Sequence, residues 1–369
     1  MANRRVAIVG PVAPFRSGIA RHTTALARAL AGRPDITLKV FSFARLYPKR
    51  LYPGAEQMDP NTLVPAELDP IFKIDTLNPL TWRSNARALR DWAPDRVVIP
   101  VWSFVVAPPL GAIARAMRAA GIPVTMIVHN AEDHETAAWK TAVSRFQLRQ
   151  ASRFVTHNAG LRAALERLVP GTPTDISPHP VYDDFPPAKG TLLRRAPLEL
   201  LFFGLIRPYK GLDIALHAIA ASGMDLHLTV AGEFWDGRAE TEALIDDLGL
   251  RDRVEVVSRY ASDAEAAEVF HRADALIAPY RSVTGSGVVA MAQWYGLPVL
   301  ASDLPGFAEV ITHGETGWLT PAGDVAALAA TLARDVTRDS AARMQPAIAA
   351  ARDQLSWARF ADVVLGEAP

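Results

Sequence analysis

Cysteine is absent from the 369 residues, which removes disulfides, thiol nucleophiles and cysteine-ligated zinc together and suits a reducing compartment. Long apolar runs are absent as well. Arg or Asp interrupts every Ala-rich stretch, well short of the roughly 18 residues a membrane-spanning helix needs. The opening run Val6 to Val9 is too short for the apolar core of a signal peptide and meets Gly10-Pro11, so it reads as a first strand. The expectation is a cytoplasmic protein, at most peripheral on the inner membrane. Net charge is also missing, since 39 Lys plus Arg balance 39 Asp plus Glu, and nothing argues for a nucleic-acid partner. The balance hides a split: residues 1 to 180 hold 23 basic and 13 acidic side chains, while 181 to 369 hold 16 and 26.

What the chain has instead is alternation. Short apolar runs (Val6 to Val9, Thr37 to Phe43, Arg96 to Val101, Val124 to Val128, Phe154 to Thr156) are followed by amphipathic Ala/Leu/Arg stretches. Such runs, bounded by turn residues and followed by a helical period, describe buried parallel strands with crossover helices. The fold class is therefore α/β, doubly wound. The stretch from Leu46 to Pro79, with six prolines and little periodicity, reads as an excursion outside the core. Around Pro178 to Pro187 the chain is proline-dense, and the alternation restarts at Leu198 to Phe203. Two domains are expected, 1–180 and 181–354. A last amphipathic helix, about 355–369 with Trp357 and Phe360, is expected to cross back to the first.

In open α/β sheets ligands bind beyond the carboxyl ends of the strands, so the loops there matter most. The first runs from Gly10 to Ser17-Gly18-Ile19 and leads into a helix. Its glycines are eight apart and no acidic residue closes the second strand, so a dinucleotide fingerprint fails. What remains is a small-residue turn at a helix N-terminus, a place that favours an anion or holds an ordinary N-cap. The loop after the fourth predicted strand, His129 to Glu135, is dense in titratable groups. His129 and His134 lie five apart, without the spacing that puts two ligands on one helix face. No metal is expected, and a single imidazole acting as donor or acid at a strand end is the more economical use of His129.

The second half opens Phe203-Gly204-Leu-Ile-Arg207-Pro-Tyr-Lys210-Gly211. A strand, a glycine turn and two cations three residues apart suit the neutralisation of a diphosphate without a metal. Later, Thr284-Gly285-Ser286-Gly287-Val288 meets another helix start, a second half for a phosphate cradle. The Gly-x-Ser-x-Gly elbow of serine hydrolases is not matched there.

Together these residues resemble the family 4 retaining glycosyltransferases of the GT-B fold, in the bacterial polysaccharide and lipid-linked-glycan branch. The resemblance runs through Gly18-Ile19, His129, Gly204 to Gly211, Gly285 to Val288, Gly296-Leu-Pro298-Val299, Pro305-Gly306 to Glu309-Val310, and Gly314 to Leu319. It implies two doubly wound domains facing a cleft, with the donor bound by the C-terminal domain and the acceptor received by the N-terminal one. The implied reaction is sugar transfer from a nucleotide-diphosphate donor to a glycan or polyprenyl-diphosphate-linked acceptor with retention. No cofactor or metal is required. Arg207 and Lys210 would face the diphosphate, with the N–H groups of Ser286, Gly287 and Val288 at its distal end. Gly18 would allow close approach of the donor, His129 would lie beside the transferred sugar, and Glu309 would orient a hydroxyl. Two positions depart from the family pattern. Leu205 stands where Arg usually follows the glycine, and the glutamate pair expected near Thr284 and Ala292, or Val283 and Met291, is missing. A non-catalytic GT-B subunit and a sugar epimerase stay open as alternatives. Arg4, Arg5, Arg28, Arg33, Arg45, Lys49, Arg50, Arg83, Arg87 and Arg90 suggest an anionic membrane surface as a further partner.

Overall fold

The computed structural model describes residues 3–48, 57–59, 62–131, 137–189, 193–283 and 285–367. The chain divides into two compact units, Met1–Pro178 with Trp357–Pro369, and His179–Ser356. In the first unit the order is β1 (Arg4–Val9), α1 (Gly18–Ala31), β2 (Ile36–Arg45), β3 (Ile71–Asp75), α2 (Pro79–Trp92), β4 (Arg96–Val101), α3 (Ala107–Ala119), β5 (Val124–Val128), α4 (Ala138–Leu148), β6 (Arg153–Thr156), α5 (Ala159–Leu168) and β7 (Thr174–Ile176). In the second it is β8 (Leu198–Phe203), α6 (Leu212–Ser222), β9 (Leu226–Ala231), α7 (Arg238–Asp247), β10 (Val254–Val257), α8 (Asp263–Arg272), β11 (Ala275–Ala278), α9 (Gly287–Trp294), β12 (Val299–Ser302), α10 (Pro305–Ala308), β13 (Gly317–Thr320), α11 (Val325–Arg334) and α12 (Arg338–Asp353). The last helix, α13 (Trp357–Leu365), returns to the first unit.

The first unit holds a seven-stranded sheet in the order β3-β2-β1-β4-β5-β6-β7, and the second a six-stranded sheet, β10-β9-β8-β11-β12-β13. The paired strands run parallel. Helices must therefore cover both faces, which is why β5 is wholly buried as Val-Thr-Met-Ile-Val and β9 as Leu-His-Leu-Thr-Val-Ala. Strand order reverses between β1 and β4 in one sheet and between β8 and β11 in the other. At such a switch point the connecting helices leave toward opposite faces and open a crevice beyond the strand ends.

The Leu46 to Pro79 stretch is not an excursion outside the core. It supplies β3, which pairs with β2, and buries Leu46, Leu68 and Ile74. An edge strand needs only one hydrogen-bonded neighbour, so Lys73 and flanking prolines are tolerated there. His129 accordingly follows the fifth strand rather than the fourth.

α13 packs against α1 through an apolar stripe of Trp357, Phe360, Ala361, Val364 and Leu365. Its end is clamped by charge. Arg33 reaches Asp362 at 2.5 Å and Glu367 at 2.8 Å, and Arg4 pairs with both Asp35 and Glu367.

Candidate functional site

In the second unit the loops at the switch point build one compact group. β8 is followed by Gly204, whose φ of +91° is a conformation that L side chains rarely adopt. A Cβ there would also stand 3.1 Å from Lys210 Nζ and 3.2 Å from Val288 Cγ2, so the glycine lets the loop after β8 and the start of α9 approach each other. A single 3-10 turn, Pro208–Lys210, follows and is stopped by Gly211 in the left-handed region at φ +68°. A Cβ on Gly211 would lie 2.1 Å from the Pro279 carbonyl oxygen, which places the loop after β11 directly against this turn.

That second loop is fastened by polar contacts. The Arg281 N–H donates to the Tyr209 carbonyl at 2.7 Å. Its guanidinium donates to the Pro208 carbonyl at 2.7 Å and binds Asp213 through two bonds of 2.9 and 2.6 Å. The same guanidinium holds the Asp213 carboxyl below the usual range. Asp213 sits in the first turn of α6, where a negative charge suits the helix dipole.

Lys210 is the electrostatic centre of the group. Its side chain is buried at 6% exposure, with Nζ 3.4 Å from the Phe203 carbonyl and 5.6 Å from the centre of the Tyr280 ring. Burial, helped by the charge on Arg207, pushes its ammonium down from 10.5 to about 7. Among the described residues no carboxylate pairs with Lys210 or Arg207. Arg207 instead lies over Trp235, its Cζ 4.4 Å from the ring centre. Trp235 follows β9, the neighbour of β8, so sheet order rather than sequence distance brings it there. Two cations held without a counter-charge form a site for an anion.

The N-terminus of α9 adds its own donors. Ser286 stands at the N-cap without capping the helix through its side chain, and its hydroxyl is bonded to Tyr280 instead. The first N–H groups of α9, at Gly287 and Val288, therefore remain at the helix end, where the dipole favours negative charge. Tyr182, from the proline-dense linker, approaches this turn within 3.6 Å of where a Gly287 Cβ would lie. The positions expected for a glutamate pair fall on apolar side chains buried in α9, Met291 and Ala292, on half-buried Val283, or on Thr284, which lies outside the described residues. Glu309 is exposed at the end of α10. Its helix packs on the β11 loop, with a Gly306 Cβ 3.1 Å from Val283.

The first unit is separate in its geometry. Ser17 is the N-cap of α1 and accepts from the Ala20 N–H at 3.0 Å. Gly18 opens the helix, and a Cβ there would meet nothing within 4 Å among the described residues. His129, half-buried at the end of β5, donates its N–H to the Val101 carbonyl at 2.9 Å. Its ring lies against His22 and His157, with centroids 4.6 and 5.0 Å apart. His134 and Glu135 lie outside the described residues.

Profiles of known families match both halves of the chain. The profile "Glycosyltransferase Family 4" matches residues 16–185, and "Glycosyl transferases group 1" matches 197–337. The chain belongs to the family 4 glycosyltransferases. It is 27% identical over 277 residues to a glycogen synthase of Mycobacterium tuberculosis, covering 71% of this chain and 64% of that protein. It is 26% identical over 203 residues to a GDP-mannose:glycolipid 4-beta-D-mannosyltransferase of Xanthomonas campestris, covering 54% and 55%. The matches thus span less than two thirds of those relatives' own length. Among solved structures, Anabaena HepE in complex with UDP and glucose superposes with a TM-score of 0.72 at 16% identity, covering 98% of both chains. The fold is GT-B, two doubly wound α/β domains.

Proposed function

We propose that this chain transfers a sugar from a nucleotide-diphosphate donor to a glycan or lipid-linked acceptor with retention of configuration, in bacterial surface polysaccharide or glycolipid synthesis. The observation that carries the proposal is buried Lys210 beside half-buried Arg207, a pair without a carboxylate partner among the described residues, with the start of α9 packed against the same glycine turn as Lys210. As the sugar–phosphate bond breaks, negative charge grows on the leaving diphosphate. Fixed cations and helix N–H groups that need no reorganisation stabilise that state more than the ground state. Lys210 and Arg207 take the diphosphate, and Ser286, Gly287 and Val288 take its distal end. Glu309 orients a sugar hydroxyl. In the first unit Gly18 gives close approach and His129 serves the transferred sugar. No metal is needed for this chemistry.

Glycogen synthase and the glycolipid mannosyltransferase support transfer, and the latter supports a lipid-linked acceptor. An acceptor bearing a polyprenyl diphosphate would bring the enzyme to an anionic cytoplasmic surface. Several of the cations that suggested this are already used: Arg4, Arg28, Arg33 and Arg45 sit in ion pairs, and Lys49 and Arg50 lie outside the described residues. Arg83, Arg87 and Arg90 remain exposed on α2, beside Leu77 and Leu80 at 56% and 70% exposure. That helix is the membrane-facing element of the proposal. Among the described residues no helix is long and apolar enough to cross a membrane.

The missing glutamate pair favours a second reading, a GT-B subunit that binds donor or glycan without turnover. A panel of nucleotide sugars, each with and without lipid-linked acceptors, separates the two. Acceptor-dependent release of nucleoside diphosphate supports transfer. Binding without release supports the subunit, and conversion of the donor with no acceptor supports an epimerase. Lys210→Ala and Arg207→Ala should each lose about 2 to 4 kcal/mol of transition-state stabilisation, read as kcat/KM.

A further inference from the structure

Three imidazoles from separate segments of the first unit meet at one point. His22 projects from the second turn of α1, His129 follows β5 and His157 follows β6. One ring nitrogen of each lies within 4.8 Å of the others, and the ring centroids of His22 and His157 are 5.2 Å apart. His22 and His157 are buried, at 1% and 5% exposure, while His129 is half-buried. Trp357 and Phe360 of α13 wall the cluster, their ring centres 4.8 and 5.2 Å from His22.

The His157 ring shows how such a cluster is poised. Its Nδ1 lies 3.1 Å from the Ser177 carbonyl oxygen, which can only accept, so Nδ1 carries the proton and Nε2 the lone pair. A backbone carbonyl that fixes the tautomer in this way is the usual outer partner of a metal-bound histidine.

We propose that His22, His129 and His157 form a binding site for one divalent transition-metal ion of the zinc class. Three neutral nitrogen donors suit zinc, copper or nickel rather than magnesium, calcium or manganese, which prefer oxygen. Zn–N bonds of about 2.0–2.1 Å in a tetrahedron set the nitrogens about 3.3 Å apart. The cluster therefore closes by at most about 1.5 Å on binding, a movement within reach of side-chain torsions. His129, the least buried member, leaves a fourth position for water or an anion. The site goes beyond the donor chemistry proposed above, which uses no metal. One consequence rests on that chemistry: an ion on His129 withdraws this imidazole from the sugar, so zinc inhibits transfer.

The test is direct binding to the full chain after removal of metals with a chelator. Titration with ZnCl2 against a chromophoric chelator should give one ion per chain. CoCl2 should give the visible absorption of a tetrahedral nitrogen site, displaced by zinc. Loss of an outer-shell partner weakens metal sites about 10- to 100-fold, so His22→Gln and His157→Asn should each weaken zinc by at least about 100-fold. The exposed His271→Gln should leave affinity unchanged. Absence of stoichiometric zinc and of the cobalt spectrum in the unmodified chain overturns the proposal, whether or not the variants fold. Binding that survives both His22→Gln and His157→Asn also overturns it. Because neither readout needs turnover, a chain that binds zinc but transfers no sugar sinks only the transferase reading. One that transfers sugar and ignores zinc sinks only the metal site.

Discussion

Replacing Lys210 with methionine should make the protein more stable and useless as a donor-binding enzyme. Burial holds the Lys210 ammonium near 7 instead of 10.5, so between those values the unfolded chain binds more protons than the folded one. Folding stability then rises with pH across that window, and the penalty of the buried charge is fully present below pH 7. At about 1.4 kcal/mol per pKa unit, the depression amounts to roughly 4–5 kcal/mol at the acid end. Methionine has a similar length, fills the same space and carries no charge. It forfeits the long contact from Nζ to the Phe203 carbonyl and the approach of Nζ to the Tyr280 ring, each worth about 1 kcal/mol or less. Lys210→Met is thus expected to gain about 3 kcal/mol at pH 6.5, shrinking to less than about 1 kcal/mol by pH 10. Urea unfolding midpoints of both proteins at pH 6.5, 8 and 10 measure the gap. A variant less stable than the parent at pH 6.5, or a gap that does not change with pH, refutes the reasoning.

Three further outcomes follow from the same geometry. A bound diphosphate supplies the counter-charge Lys210 lacks, so binding takes up a proton, and nucleoside diphosphate affinity should fall up to about tenfold between pH 7.5 and 8.5; calorimetry in buffers of different ionisation enthalpy reads the proton directly. Gly204→Ala forces a side chain into φ +91° and to 3.1 Å from Lys210 Nζ, which should cost about 1–3 kcal/mol of stability and weaken diphosphate binding, both measurable on purified protein. Co-sedimentation with anionic vesicles should be strong at low salt, weak at high salt, and lost when Arg83, Arg87 and Arg90 are replaced together by Glu, whereas salt-independent binding would remove α2 from the account.

Much of the fold is legible in the sequence because buried parallel strands announce themselves as short apolar runs, as Val124 to Val128 and Leu198 to Phe203 do. The elements that escape are those that do not need such runs. β3 lies at the sheet edge with Lys73 and Asp75 in it, and β7 is only Thr-Asp-Ile. The glycine loops of the site are legible for a related reason. Gly204 and Gly211 sit at positive φ where a strand gives way to a helix, and glycine is the residue such turns demand. Trp235, Tyr182 and the companions of His129 are illegible because strand order and linker path bring them in. His22 alone leaves a trace, a histidine among Ala20, Thr23 and Leu26 on the buried side of α1.

The account stands on Lys210 and Arg207 forming a metal-free diphosphate site in the second unit. Titration of UDP, GDP and ADP into the full chain in the presence of EDTA, watched by calorimetry, tests that most directly. One site per chain for at least one of them, with affinity lowered at least about tenfold in folded Lys210→Met and in Arg207→Ala, is the predicted result. No binding by any of the three, binding that needs a divalent cation, or equal binding by the variants would contradict it.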